Sequence, residues 1–284
     1  LLLWFGGSGV MKGTLSPGDF VAVLSYLGML IWPMIGAGFT INLLNRGAAS
    51  LSRINHILNE QPDIVSQPGA VDTIIPGELE VRNLTYYFPD GKAPVLDDIS
   101  FKVRQGETLG ILGETGSGKS TLLRILPRLL EAPAGTVFYS GRDIREYTLS
   151  ALRRIIASVP QTTFLFSDTV KANIAFGISD ELTGSHPDQP GQENRLRDLA
   201  RISTIDRDLS AFPEGWNTTV GEKGVTLSGG QKQRISISRA LASEPEVLIF
   251  DDALSAVDTG TEEKILNNLI ALRKGRTNII VSHR

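Results

Sequence analysis

Apolar positions along this chain follow different rules in different stretches. From Phe20 to Asn45 no charged side chain interrupts a run of about 26 residues. As a helix rising ~1.5 Å per residue, that run is about 39 Å long. A bilayer's hydrocarbon core is only ~30 Å thick, so the run is predicted to span it, and a buried helix of a soluble protein is the alternative. Beyond it, Leu51, Ile54, Ile57 and Leu58 keep helical spacing, which predicts an amphipathic stalk continuing the span. From Glu78 onward apolar and charged residues intermix, as in a soluble domain. Ile99, Phe101 and Val103 alternate as in a strand, and Thr108 to Gly113, Ile155 to Val159, Val247 to Phe250 and Thr277 to Ser282 are apolar runs of strand length. The first and third of these read as buried strands. Thr121 to Leu130 and Gln231 to Leu241 carry helical spacing. These elements predict an α/β domain with a largely parallel core sheet, an antiparallel β portion from about Glu78 to Val103 and a helical portion from about Asp168 to Leu241. The polar stretch from Ser179 to Glu193 reads as a surface loop.

Proline and glycine set the boundaries. Leu1 to Phe5 form an apolar stub followed by Gly6, Gly7, Gly9, Pro17 and Gly18, which reads as the truncated end of an earlier span and a turn. Pro62, Pro68 and Pro76 break the stretch from Gln61 to Gly77, giving it the composition of a linker. The division is therefore 1–60 membrane part, 61–77 linker and 78–284 soluble domain. Arg46 and Arg53 follow the apolar run with the soluble domain behind them, so that side is expected to be cytoplasmic. The net charge of −3 argues against a nucleic-acid partner, which would need a basic face. The absence of cysteine excludes a disulfide scaffold, a thiolate metal site and a cysteine nucleophile.

Candidate chemistry begins at GETGSGKS, residues 113–120, which joins a predicted strand to a predicted helix. This is a Walker A loop in its required setting. Gly113, Gly116 and Gly118 allow backbone amides to close around phosphate oxygens, and the helix start adds partial positive charge. Lys119 is expected to reach the β- and γ-phosphates and Ser120 to place its hydroxyl on Mg²⁺. Asp251, ending the run Val247 to Phe250, stands where the second Mg²⁺ partner of such a site belongs. Between these motifs lies LSGGQ, residues 227–231, opening a helix whose N-terminus, with Ser228, Gly229 and Gly230, is a natural anion site.

Together with Pro160-Gln161, TTVGEKG at 218–224, SAVD at 255–258 and His283, these motifs make the chain resemble ATP-binding cassette transporters, specifically exporter half-transporters with a membrane domain fused ahead of the cassette. The resemblance covers nearly the whole chain. It implies a P-loop cassette preceded by a transmembrane helix and ending before its usual C-terminus, ATP and Mg²⁺ as ligands, and a plasma-membrane location that is multi-pass in the complete protein. It extends nucleotide contacts to Glu114, Thr115, Ser117, Thr121 and Gln231. Gln161 would touch Mg²⁺ or water and report nucleotide state to the membrane helices, and His283 would hydrogen-bond the γ-phosphate. Phe88 falls where the family often stacks a tyrosine on adenine, and is otherwise an ordinary strand aromatic. Ser228, Gly229, Gly230 and Gln231 would face ATP on an opposite cassette, which makes a second subunit obligatory.

One position departs from the pattern: Asp252 replaces the glutamate that usually polarises the attacking water. Its carboxylate is withdrawn by about 1.5 Å. This resembles the impaired site of heterodimeric bacterial exporters, so a heterodimer is favoured over a homodimer, and a regulatory subunit with weak hydrolysis is the alternative to an effective ATPase. The transported substrate is not encoded in the residues present. A DNA-structuring ATPase would share the nucleotide motifs but lacks an apolar span and carries a coiled-coil insertion.

Overall fold

A computed structural model describes residues 2–178, 192–221 and 226–282, which fall into two units, Leu1–Asp63 and Ile64–Arg284. In the first, helix α1 (Leu2–Met11) runs through Gly6, Gly7 and Gly9, so these glycines do not form the expected turn. Gly6 lies against the ring of Phe20, where a side chain has no room. The reversal falls instead at residues 12–16. Ser16 then caps helix α2 (Pro17–Leu58), accepting the Asp19 N–H at 3.0 Å with Pro17 in the first turn. The apolar run and the stalk are one helix of 42 residues, roughly 63 Å long. It is long and apolar enough to cross a membrane, with Pro33 inside it.

Among the described residues, the second unit holds two four-stranded sheets. Strands β1 (Leu79–Tyr86) and β2 (Leu96–Val103) make the expected antiparallel pair. Two later strands, β4 (Val137–Tyr139) and β5 (Arg142–Asp143), extend it in the order β2-β1-β4-β5. The parallel sheet has the order β3-β8-β7-β6, with β3 (Thr108–Leu112), β6 (Ile156–Val159), β7 (Val247–Asp251) and β8 (Thr277–Ser282). β7 explains its own sequence. Val247 and Ile249 pack into the core shared with the antiparallel sheet, while Leu248 and Phe250 pack into the core of the helical region. A strand covered on both faces is apolar at every position. β3, expected to be buried, is an edge strand whose residues alternate between exposed and half-buried.

The helical region contains α5 (Val170–Ala175), α6 (Gln192–Ile202), α7 (Asp206–Leu209) and α8 (Gly229–Ala242). Glu193, assigned to the surface loop, is in the first turn of α6; residues 179–191 of that stretch lie outside the described residues. Helix α9 (Thr259–Leu272) follows β7. Residues 64–77 lie along this unit. Val71 bridges to Tyr147, and the Thr148 hydroxyl donates to Asp72 at 2.6 Å. The Leu149 N–H donates to Ser66 Oγ at 3.0 Å, and buried Arg128 donates to the Val65 carbonyl. Thr148 also caps α4 (Leu149–Ile155), the helix that leads into β6.

Candidate functional site

The strand register places the candidate residues. Leu112 pairs with Ser282, Asp251 with Val281 and Val159 with Phe250, so all four parallel strands finish at one sheet edge. Ligands of open α/β sheets bind beyond that edge. Gly113 follows β3, Asp252 follows β7, and Gln161 comes two residues after β6. His283 follows β8 and lies outside the described residues.

Beyond β3 the chain turns into helix α3 (Lys119–Ile125), shorter than the predicted helix to Leu130. Pro127 supplies no backbone donor, and Arg128 takes a positive φ of 52°, so the helical path stops there. Gly118 heads α3 at φ 87°, and a Cβ there would lie 2.7 Å from the Val95 carbonyl oxygen and 2.9 Å from Leu96 Cδ2. Both backbone and space require glycine. The Lys119 ammonium is buried and donates to the Gly113 and Glu114 carbonyls at 2.8 and 2.7 Å, with Ser117 Oγ at 3.4 Å. Thr115, Gly116, Gly118, Lys119, Ser120 and Thr121 line a cavity of about 280 Å³ with Val95 and Gln161. Phe88 does not line that cavity. It is exposed and sits edge-on to Tyr86, ring centroids 5.5 Å apart.

Asp251 is half-buried at the end of β7. Asp252 adopts φ 50°, a left-handed conformation that aspartate tolerates better than most residues. Its N–H donates to the Val281 carbonyl, and its Oδ2 accepts from Gln161 Nε2 at 3.2 Å. The Asp252 carbonyl in turn accepts from the Ser255 hydroxyl at 2.9 Å. Gln161 therefore joins the loop cavity to Asp252. Ser120, Asp251 and Gln161 offer hydroxyl, carboxylate and amide oxygens, the hard donors that suit Mg²⁺. No cluster of three His, Cys, Asp or Glu side chains able to hold a metal occurs among the described residues. An ion held by so few protein groups takes its other ligands from phosphate and water, as Mg²⁺ does.

The LSGGQ residues form a separate arrangement. Ser228 caps α8, its Oγ accepting the Gln231 N–H at 3.2 Å while its own N–H donates to Gln231 Oε1 at 3.0 Å. Gly229 and Gly230 begin the helix beside the loop after β7. A Cβ on Gly230 would lie 2.8 Å from the Ala256 carbonyl oxygen. Buried Gln233 ties the same two segments together, donating to Ser255 Oγ at 3.3 Å and accepting the Ala256 N–H at 3.1 Å. Sequence reading missed Gln233, and also Asp208, which receives hydrogen bonds from both Gln231 and Arg234. Gln233 stands two residues past a recognised motif, whereas nothing in the sequence around Asp208 marks it. None of Ser228, Gly229, Gly230 and Gln231 lines the cavity at Lys119. Residues 222–224 of TTVGEKG lie outside the described residues.

Residues 96–255, more than half the chain, match the family described as ABC transporter. The chain belongs to the ABC transporter family. Among its ABC transporter relatives is a probable multidrug resistance ABC transporter ATP-binding/permease protein of Bacillus subtilis, YheI. It is 42% identical over 282 residues, covering 99% of this chain and 46% of the relative. The multidrug resistance-like ATP-binding protein MdlA of Escherichia coli is 42% identical over 285 residues, covering all of this chain and 46% of the relative. A solved bacterial Atm1-family ABC exporter with ATP bound superposes with a TM-score of 0.76 at 32% identity, over 97% of this chain and 47% of that one. The chain thus spans about half the length of the curated relatives it matches. These likenesses agree with the ABC exporter resemblance carried by the motifs and with the cassette fold of the second unit.

Proposed function

We propose that this chain is the ATP-binding and ATP-hydrolysing part of an ABC exporter subunit, in which ATP draws its cassette against a second one and the membrane helices move a substrate outward. The observation that carries the reading is the division of the motifs. The loop cavity holds Lys119, Ser120 and Gln161, while Ser228, Gly229 and Gly230 lie outside it on α8. A nucleotide closed by both sets therefore needs a second cassette.

In this reading Lys119 and the amides of residues 113–118 hold the phosphates, with Thr121 at the start of α3. Ser120, Asp251 and Gln161 would hold Mg²⁺, which would supply positive charge to offset that on the transferring phosphoryl group. Asp252 orients the attacking water and accepts its proton, His283 contacts the γ-phosphate and Phe88 stacks on adenine. Ser228, Gly229, Gly230 and Gln231 contact ATP held by the partner. Helix α2 belongs to the membrane domain of a multi-pass protein in the plasma membrane, and the cassette is cytoplasmic.

A second reading, a nucleotide-binding subunit with weak hydrolysis in a heterodimer, is favoured by Asp252. Its carboxylate is shorter than the family's glutamate and is engaged by Gln161 at 3.2 Å. The intact cap at Ser228 would still complete the partner's site. ATP binding and ATP hydrolysis, measured separately in the purified membrane assembly, distinguish these readings. Tight binding with transport-coupled turnover in an assembly of this subunit alone supports the first and excludes the heterodimer. Tight binding with turnover only when a second, glutamate-bearing subunit is present supports the second, and absence of ATP binding overturns both.

A further inference from the structure

We infer that Asp208 is a positioning residue for the LSGGQ end of α8, acting through the side-chain amide of Gln231. The inference rests on the proposed function, in which that helix end grips ATP on a partner cassette.

The geometry is a relay of three hydrogen bonds. Asp208 Oδ1 accepts Gln231 Nε2 at 2.9 Å, which orients the amide so that Gln231 Oε1 faces the other way. That oxygen accepts the Ser228 N–H at 3.0 Å, and Ser228 Oγ accepts the Gln231 N–H at 3.2 Å. A glutamine amide can rotate by half a turn and exchange its donor and acceptor. The carboxylate accepts only, so it selects one of the two orientations, the one that completes the reciprocal cap. Ser228 is thereby held with its hydroxyl turned toward the helix and with Gly229 and Gly230 leading the first turn.

The second carboxylate oxygen anchors the relay. Asp208 Oδ2 pairs with Arg234 Nη1 at 2.6 Å, and the same nitrogen donates to the Thr204 carbonyl at 3.1 Å. Arg234 Nε reaches the Gly230 carbonyl at 3.3 Å. The two side chains are largely covered, at 22% and 14% exposure, so solvent replaces their pairing poorly. Asp208 thus touches α8 at Gln231 and Arg234, one turn apart, while Gln233 fixes the other side to Ser255 and Ala256. The helix start is clamped from two directions, and α7 supplies one of the clamps. Asp208 does not line the loop cavity, so its effect is expected to be confined to the site completed by α8.

The test compares Asp208→Asn and Asp208→Glu with the unsubstituted protein in the purified full-length assembly. ATP affinity at this chain's own loop is measured without hydrolysis, and turnover is measured at saturating ATP. For Asn, turnover is expected to fall about tenfold, since small displacements of groups around a transition state are costly. Affinity at the chain's own loop is expected to stay within twofold, and Glu is expected to recover at least half of the lost turnover. Turnover of Asn within twofold of the unsubstituted protein would overturn the inference. So would equal losses in Asn and Glu, or a parallel fall in own-loop affinity, either of which marks a purely structural role. Lys119→Ala serves as the control for the underlying reading: if it leaves ATP affinity unchanged, the proposed function fails, whatever the Asp208 variants do.

Discussion

Replacing Asp252 by glutamate should make the protein faster and slightly less stable. The added methylene moves the carboxylate outward by about 1.5 Å. Displacements of ~1 Å in a catalytic group change rates on the order of a hundredfold, so restoring the longer reach is expected to raise turnover at this site by tenfold or more. The structure also sets a cost. Residue 252 sits at φ 50°, where aspartate gains from its short polar side chain and glutamate does not, a difference of roughly 1 kcal/mol. For a domain of this size that is a fall of about 2–4 °C in Tm. The variant must also give up or rebuild the hydrogen bond from Gln161 Nε2, now 3.2 Å from Oδ2, which frees that amide to face the cavity. Single-turnover hydrolysis at saturating ATP, with Tm from a thermal melt, reads both effects. Unchanged or lower turnover at full ATP occupancy would refute the argument from reach.

Three further outcomes follow from other parts of the structure. Gly230→Ala places a methyl 2.8 Å from the Ala256 carbonyl oxygen, so it is expected to push the loop after β7 from α8 and lower turnover in the assembly about tenfold, with ATP affinity at the chain's own loop unchanged. Arg273, 3% exposed, donates to the carbonyls of Pro245, Glu246 and Thr277 and to Asn278 Oδ1, and burial lowers its pKa to about 10. Arg273→Ala strands these acceptors and is expected to cost about 3 kcal/mol, or roughly 6–12 °C in Tm. Glu80 is held down to about 2 from 4.5 by hydrogen bonds from Arg82 and then Lys102. Its contribution is complete above pH 4.5 and is lost as pH falls toward 2, because the unfolded chain takes up the proton first. Tm measured against pH should therefore fall more steeply in this window for the natural protein than for Glu80→Gln.

The sequence announced the nucleotide motifs because phosphate chemistry dictates residue type and spacing within a few positions. Gly118 shows this, since the same glycine satisfies a positive φ and the close approach of Val95. The run Val247 to Phe250 was equally legible, for a strand buried on both faces must be apolar throughout. What escaped depended on contacts distant in sequence. Gly6, Gly7 and Gly9 look like a turn, yet they lie within α1, where Gly6 faces Phe20. β4 and β5 are too short to show a period; β4 joins β1 across the intervening β2, β3 and α3, and β5 joins β4. Asp208 and Gln231 are brought together by the folding of α7 against α8, which no local pattern encodes. The engagement of Asp252 by Gln161 likewise joins the ends of two strands.

The loop from Gly113 to Ser120 is proposed to grip ATP, and that grip to drive pairing with a second cassette. Lys119→Ala removes the buried ammonium that donates to the Gly113 and Glu114 carbonyls of the loop. ATP affinity by equilibrium binding and ATP-dependent cassette pairing by cross-linking should be measured on the same preparation. Affinity is expected to fall at least about a hundredfold and ATP-dependent pairing to disappear, given the strength of hydrogen bonds between charged groups. Unchanged affinity together with undiminished pairing would contradict the proposed grip.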